Sequence, residues 1–360
     1  MKRRKASLCL LGVLVVPSVF FSITSLFVSF RWQFVSPDPR PKLMTIERQH
    51  TWRASHESNS TSYYRMPLPV LVATDTPQKE CPDGMHLRRD RHFDNGDEAS
   101  DRWKIPRIIH QTSKSRCLTK IVFDLTGKWQ LNGWDYYLHD DDAIQRLFDQ
   151  EAIHFPLLPV IAKHCLLHGT LKADLWRYLV LWVYGGIYAD LDTAPNTFVH
   201  DTISPRDDAL FVVEQYHMLS QYFMAVSPRH PLMWYAIQRC LQNLWQLPDT
   251  GRVVAAKVTG PHALHMAYID FRKDAGERID PVGAGNKPVW AGHFHGTFNY
   301  TVTVIGFGEN QNEYIHRDLL GRHNKNAAYK QMHMRHFQED MLFPTGDSCL
   351  SAILKNGQEW

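Results

Sequence analysis

Lys172-Ala173-Asp174-Leu175-Trp176-Arg177-Tyr178, continuing through Tyr184-Gly185-Gly186-Ile187-Tyr188-Ala189-Asp190-Leu191-Asp192, joins a helix, a glycine stop and a strand that ends in Asp-x-Asp. Apolar side chains at Leu171, Leu175, Tyr178, Leu179 and Trp182 recur at three- and four-residue spacing, which predicts one buried helical stripe. Gly185-Gly186 supplies the left-handed cap that ends this helix. Ile187-Tyr188-Ala189 is short and β-prone, so Asp190 and Asp192 fall at or just past the carboxyl end of a strand, where open α/β sheets form their ligand crevices. Two carboxylates there make a hard-oxygen cation site.

Asp174 and Arg177 stand three residues apart and share a helical face. The plain reading is an intrahelical salt bridge, which contributes little if exposed. An Asp-x-Asp by itself is common in solvated loops, and its weight here comes from the helix, glycine pair and strand around it.

The pattern Ala173-Asp174-x-x-Arg177-Tyr178 followed by Gly185-Gly186-x-Tyr188-x-Asp190-x-Asp192 resembles the DXD-containing, sugar-binding region of glycosyltransferase family 32. That family includes fungal initiating α-1,6-mannosyltransferases, inositol-phosphoceramide mannosyltransferases, and animal α-1,4-galactosyl- and N-acetylglucosaminyltransferases. Upstream, Ile105-Pro106-Arg107-Ile108-Ile109-His110-Gln111-Thr112 is similar to the family's opening strand. Downstream, Gln221 to Ala225, Pro228-Arg229-His230-Pro231 and Thr259-Gly260-Pro261 resemble its later segments. The likeness spans roughly residues 105 to 300.

The resemblance implies an α/β, GT-A-like fold: a mixed, mainly parallel sheet flanked by helices, with a nucleotide sugar at the strand ends. It implies that Asp190 and Asp192 serve a metal and the diphosphate, and that Asp174 and Arg177 hold the donor sugar. His110 and Gln111 would lie near the nucleotide, with Tyr178, Gly185 and Gly186 completing the donor-binding set. Mn²⁺ or Mg²⁺, held by one or two carboxylates plus phosphate oxygens, neutralises the charge that grows on a departing diphosphate. The family's late His-x-x-x-Gly-Ser-Trp element has its nearest counterpart in His293-Phe294-His295-Gly296-Thr297-Phe298, with shifted spacing and Thr-Phe for Ser-Trp. His293 and His295 are therefore further metal-ligand candidates, and the third ligand stays open.

Leu8 to Phe30 is a run of 23 residues without a charged side chain, long enough to cross a hydrocarbon core of about 30 Å. Lys2, Arg3, Arg4 and Lys5 precede it and favour a cytoplasmic amino terminus. The expectation is a type II protein of the Golgi or endoplasmic-reticulum membrane, with a tail over residues 1–7 and an anchor over 8–30. The run exceeds an ordinary signal-peptide core, and no clear Ala-x-Ala site follows. Residues 31–100, rich in Pro, Ser, Thr, Arg and Asp, read as a largely disordered stem. Residues 101–345 read as the glycosyltransferase domain and 346–360 as a C-terminal tail.

Within the domain, Arg107 to Ile109 and Ala209 to Val213 suit buried strands, and Pro231 to Trp245 suits a helix. His154 to Trp182 reads as largely helical, broken near Gly169. Asn59-Ser60-Thr61 and Asn299-Tyr300-Thr301 are glycosylation sequons. Of six cysteines, Cys9 lies in the expected anchor, leaving five and so at most two disulfides, with connectivity open. The formal net charge of +3 over 360 residues singles out no nucleic-acid partner. His333-x-x-His336 lacks a matching pair of soft ligands and reads as ordinary surface or packed histidine.

These features together predict a transferase that moves a hexose from a nucleotide sugar to a glycan or glycolipid hydroxyl, and the resemblance implies retention of anomeric configuration. GDP-mannose is favoured, with UDP-galactose and UDP-N-acetylglucosamine open. A non-catalytic glycan-binding or complex-forming subunit of the same fold, and a metal-dependent hydrolase, are the alternatives.

Overall fold

Short strands alternate with helices in a computed structural model that describes residues 65–73, 81–93, 103–156, 158–165, 169–196, 202–214, 218–247, 254–277, 291–306, 315–316 and 321–334. The strands are β1 (Met85–Leu87), β2 (Ile108–Thr112), β3 (Cys117–Thr119), β4 (Asp135–His139), β5 (Gly186–Ala189), β6 (Ala194–Pro195), β7 (Ala209–Val213), β8 (Leu219–Val226), β9 (Gly292–His295), β10 (Thr301–Ile305) and β11 (Ile315–His316). The central sheet has the order β4-β2-β5-β8-β7-β10-β9. β2 runs parallel to β4 and β5, and β10 parallel to β7. β8 is antiparallel to β5 and β7, and β9 is antiparallel to β10. Three of the six pairings are parallel and three antiparallel, so the sheet is mixed, as expected, with five of its seven strands running the same way. β5 and β7 are buried at every position, the pattern of strands covered on both faces.

Alternation along the strands divides the core into two layers. Tyr188, Phe211 and Met224 face helices Gly169–Tyr184, Pro231–Trp245 and Pro261–Lys273, joining Trp176, Trp182, Trp234 and Phe271. Ile187, Leu210 and Ala225 face the other way, toward Val122 and Leu125 of helix Lys120–Lys128 and Ala328 of helix Gly321–Gln331.

The expected boundaries hold closely for β7, for the strand after Gly185 and for helix Pro231–Trp245. The break before Gly169 separates helix Leu158–His164 from Gly169–Tyr184. That second helix is buried from Asp174 through Tyr184 on every side, not along one stripe, because the sheet covers one flank and neighbouring helices cover the rest. Gly185 and Gly186 have φ of 67° and 96°. A Cβ on Gly185 would stand 2.6 Å from Pro228 Cδ, and one on Gly186 2.5 Å from the Ile108 carbonyl oxygen. The pair ends the helix and lets β5 lie against β2.

Part of the stretch expected to be stem belongs to this fold. Helix Leu68–Val72 buries Leu68, Leu71 and Val72 in the core, and Arg146 Nε donates to the Leu71 carbonyl at 2.8 Å. β1 pairs antiparallel with β3, beside a Cys81–Cys117 disulfide. The folded unit thus starts before residue 101; five residues are too short to show a helical period, yet they suffice for one turn docked on a preformed surface. Cys165 is also disulfide-bonded, and Cys240 is a buried free thiol. No helix among the described residues is long and apolar enough to cross a membrane. The expected anchor at 8–30, the tails and His336 lie outside those residues.

Candidate active site

β5 ends at Ala189, so Asp190 occupies the first position beyond the sheet. The turn that follows is fixed from three directions. Gln111 Nε2 donates to the Asp190 carbonyl at 3.1 Å, Thr193 Oγ1 donates to the same oxygen at 2.7 Å, and Trp129 Nε1 holds the Thr193 carbonyl at 3.0 Å. Gln111 is itself oriented by the Tyr136 hydroxyl, which donates to its Oε1 at 3.0 Å. Gln111 therefore sets the height of Asp190 above the sheet.

Asp174 and Arg177 approach from helix Gly169–Tyr184. Arg177 Nη2 lies 3.0 Å from Asp174 Oδ1, while its Nη1 lies 3.3 Å from Asp190 Oδ1 and donates to the Gln221 carbonyl at 3.0 Å. The Tyr188 hydroxyl donates to Asp190 Oδ1 at 2.7 Å, and its ring lies 4.6 Å beneath the guanidinium. Arg177 thus bridges two carboxylates that come from different elements. The expected helical salt bridge exists, but it is buried and bifurcated, far from the exposed pair of small effect.

Asp174 receives donors only: Gln221 Nε2 at 2.9 Å, Thr259 Oγ1 at 3.1 Å and Arg177. Tyr178 donates to Gln221 Oε1 at 2.7 Å and contacts the Gly260 carbonyl at 3.3 Å. Burial pushes the Asp174 carboxyl up to about 6, against the pull of Arg177 and Thr259. Burial alone would lower Arg177, yet Tyr188, Asp190 and Asp174 raise it, so the guanidinium is a fixed positive charge. Asp190 is different: its side chain keeps 30% of its surface exposed. It is the carboxylate of this group that opens to solvent.

Asp192 is 3% exposed and is paired with the ammonium of Lys325, from helix Gly321–Gln331. Both Asp-x-Asp carboxylates therefore already face cations, Arg177 at one and Lys325 at the other.

His110 turns inward. Its Nε2 meets the Gly185 carbonyl at 3.0 Å and its Nδ1 meets His139 Nε2 at 3.1 Å. A carbonyl only accepts, so His110 carries its proton on Nε2 and takes one from His139 at Nδ1. Burial pushes His110 down to about 4, which keeps the pair neutral. His110, Gly185 and Gly186, placed in the donor-binding set by the resemblance, are spent on one another and on Pro228 and Ile108. Tyr178 is likewise committed within the protein.

His293 and His295 are not brought to the carboxylates. They stand exposed on β9, four strands from β5 in the sheet order, or about 19 Å at about 4.8 Å per strand. β9 also runs against the main direction, pairing His295 with Thr301 at the start of β10. Among the described residues no three His, Cys, Asp or Glu side chains gather into a metal-ligand cluster. Strand order thus sets these two histidines apart from the carboxylates.

Residues 114–210 match the family described as glycosyltransferase sugar-binding region containing DXD motif. Asp190-Leu191-Asp192 is an Asp-x-Asp triplet within the matched residues. The initiation-specific alpha-1,6-mannosyltransferase of Schizosaccharomyces pombe is 28% identical over 193 residues, covering 46% of this chain and 48% of that protein. Inositol phosphoceramide mannosyltransferase 1 of the same organism is 29% identical over 139 residues, covering 37% and 42%. The chain spans less than half the length of these relatives. A solved structure of PaToxG glycosyltransferase aligns over 45% of this chain and 67% of its own, at 16% identity and a TM-score of 0.35.

The DXD pair fits a divalent cation in part. Asp190 offers a solvent-facing carboxylate, and Asp192 offers a second once it exchanges Lys325; phosphate oxygens and water would complete the oxygen shell. Asp174, Arg177, Asp190 and Asp192 are the residues to which the sequence points, whereas no chemistry of their own announces Gln221, Thr259, Tyr188 or Lys325, which hold them. Gln221 and Thr259 lie in segments that had drawn attention by resemblance. Lys325 carried no signal, being 133 residues from its partner.

Proposed function

We propose that this protein is a metal-dependent, retaining glycosyltransferase of GT-A type. It moves a hexose, mannose first among the choices, from a nucleotide sugar to a hydroxyl of a glycan or glycolipid. The observation that carries the reading is Arg177 spanning Asp174 and Asp190 at 3.0 and 3.3 Å at the carboxyl end of β5. A neutral-faced fold would have no reason to desolvate that much charge, because burying ions is costly unless each is paired and hydrogen-bonded.

In this reading Asp174 and Arg177 bind and orient the donor sugar, with Gln221 and Thr259 holding Asp174 in place. Asp190 and Asp192 would hold Mn²⁺ or Mg²⁺, which when bound would supply positive charge to the leaving diphosphate. Lys325, once released from Asp192, would add a further positive charge near that end of the sheet. The acceptor hydroxyl attacks from the face the diphosphate leaves, and its proton passes to the leaving phosphate, so no enzymic nucleophile is assigned. GDP-mannose is favoured because both fungal relatives named above are mannosyltransferases. The protein works in the Golgi or endoplasmic-reticulum lumen, anchored through residues 8–30.

The test is donor turnover by the full chain with GDP-mannose, UDP-galactose, UDP-glucose and UDP-N-acetylglucosamine, with Mn²⁺ or chelator, beside Asp190→Ala/Asp192→Ala. Metal-dependent nucleotide release from one donor, raised by a glycan or glycolipid extract and absent in the double variant, supports transfer. Release that no acceptor raises supports a hydrolase. A second reading, a non-catalytic glycan-binding subunit, draws on the Lys325 ammonium already seated on Asp192; a folded chain that turns over no donor would favour it.

A further inference from the structure

A cavity of about 470 Å³ opens at the other end of the sheet, lined by Lys104, Asp208, Ser227, Phe298, Asn299 and Tyr300. Asp208 precedes β7, Tyr300 precedes β10 and Ser227 follows the antiparallel β8, so all three lie at the amino ends of the parallel strands. From Gln221 to Ser227 the chain advances about 20 Å along β8 at about 3.3 Å per residue. The cavity is separate from the DXD end.

Asn299 sits on its rim, exposed, in a turn that the protein holds rigidly. Gly296 N donates to the Tyr300 carbonyl at 2.9 Å, Thr297 Oγ1 donates to the Phe271 carbonyl at 3.0 Å, and the Tyr300 ring packs on His230 at 5.0 Å. Phe298 and Asn299 both take the left-handed conformation, at φ of 61° and 63°. Two successive side-chain-bearing residues in that region are strained, and they persist only because the surroundings fix them. Asn299 also begins the sequon Asn299-Tyr300-Thr301, which marks a site of carbohydrate attachment in a secreted chain. The Cys81–Cys117 disulfide points independently to an oxidising compartment.

The lining suits a sugar. Phe298 and Tyr300 offer aromatic surface to an apolar sugar face, and Lys104 and Asp208 pair at 2.7 Å at the edge. The volume lies within the range of small-ligand pockets. We propose that Asn299 is N-glycosylated and that the first sugar of its glycan seats in this cavity as a fixed part of the fold. In the transfer, the Asn299 amide nitrogen loses a proton and bonds to sugar C1 while the C1–O bond to a lipid diphosphate breaks and that diphosphate leaves. Thr301 Oγ1 is committed to Asp208 at 2.8 Å in the fold, so attachment precedes the docking of β10.

The full chain is produced in a fungal secretory host that adds oligomannose glycans, and its peptides are mapped by mass after amidase release in ¹⁸O water. Asn299 is expected to appear as ¹⁸O-labelled Asp, to remain modified in Thr301→Ser, and to be lost in Asn299→Gln. Modification at Asn59 with an unmodified Asn299 overturns the site. Modification at neither also overturns the site. For the seating, Asn59→Gln protein is compared with its full glycan, trimmed by an endoglycosidase to one sugar, and fully stripped. The first two are expected to melt together and the stripped form about 2–4 °C lower, with Asn299→Gln matching the stripped form and so excluding the new Asp charge as the cause. Three forms that melt together overturn the seating.

Discussion

Replacing Asp174 with Asn isolates the energetics of the buried cluster through its pH dependence. Asp174 is 1% exposed, and burial raises its carboxyl from 3.8 to about 6 despite Arg177 alongside. A raised acid binds its proton more tightly in the folded than in the unfolded protein, so between about pH 4 and pH 6 the folded state holds more protons and stability falls as pH rises. At about 1.4 kcal/mol per tenfold change in proton affinity, the fall amounts to about 3 kcal/mol. Asn stands in for the protonated side chain, keeping one acceptor for Gln221 and Arg177 and turning its amide toward the Thr259 hydroxyl, which can accept. Its own cost is a pH-independent offset. Urea unfolding of wild type and Asp174→Asn from about pH 2.5 to about pH 7.5 should give a difference that is flat at the acid end, moves against the wild type by about 3 kcal/mol between about pH 4 and pH 6, and is flat again above about pH 6.5. Buried His110 and His230 titrate alike in both proteins and cancel. A flat difference, or one that moves in favour of the wild type as pH rises, would show that Arg177's attraction outweighs burial and would refute this account.

Asp190→Asn and Asp192→Asn should each lower donor turnover by about 100-fold, the scale for losing one group that stabilises developing charge, while melting within a few degrees of wild type; full activity in Asp192→Asn would remove the DXD from the chemistry. Lys325→Met should bind Mn²⁺ about tenfold more tightly in a nucleotide-free titration, a difference of about 1.4 kcal/mol, since Asp192 then loses the ammonium that competes for it; weaker binding would mean that Lys325 supports the metal site. Gly186→Ala should cost about 3 kcal/mol in urea unfolding, because a positive φ adds to a Cβ placed 2.5 Å from the Ile108 carbonyl. Gly276→Ala, also at positive φ but with open space around it, should cost about 1 kcal/mol. Equal losses at the two sites would refute the close approach of β5 to β2.

The parts of this molecule that could be read from sequence are those in which a local pattern has a single physical outcome. Ala209 to Val213 is wholly apolar and bounded by polar residues, and it became β7 without a shift. The glycine pair had to turn the chain after a long apolar helix, so Asp190 had to fall where it did. His110 was found on the right strand, but strand membership does not say what lies behind a side chain, and Gly185 claimed its ring nitrogen. His293 and His295 stand apart from the carboxylates for a topological reason: nothing local announces that β9 is an antiparallel edge strand. Lys325 illustrates the other limit, since a salt bridge between distant segments has no periodicity. Helix Leu68–Val72 was missed because its stability is borrowed from the surface it covers.

The Cys81–Cys117 link closes a loop across a sequence separation of 36 residues, and it does so between two segments that are each anchored elsewhere. A protease that cuts the backbone once within residues 82–116 would therefore release nothing. The upstream piece, with whatever precedes it, would stay covalently joined to β3 and travel with the domain in an ordinary gel. Only a reducing gel would reveal two polypeptides, so a single cut separates the upstream piece from the domain only where it falls before Cys81.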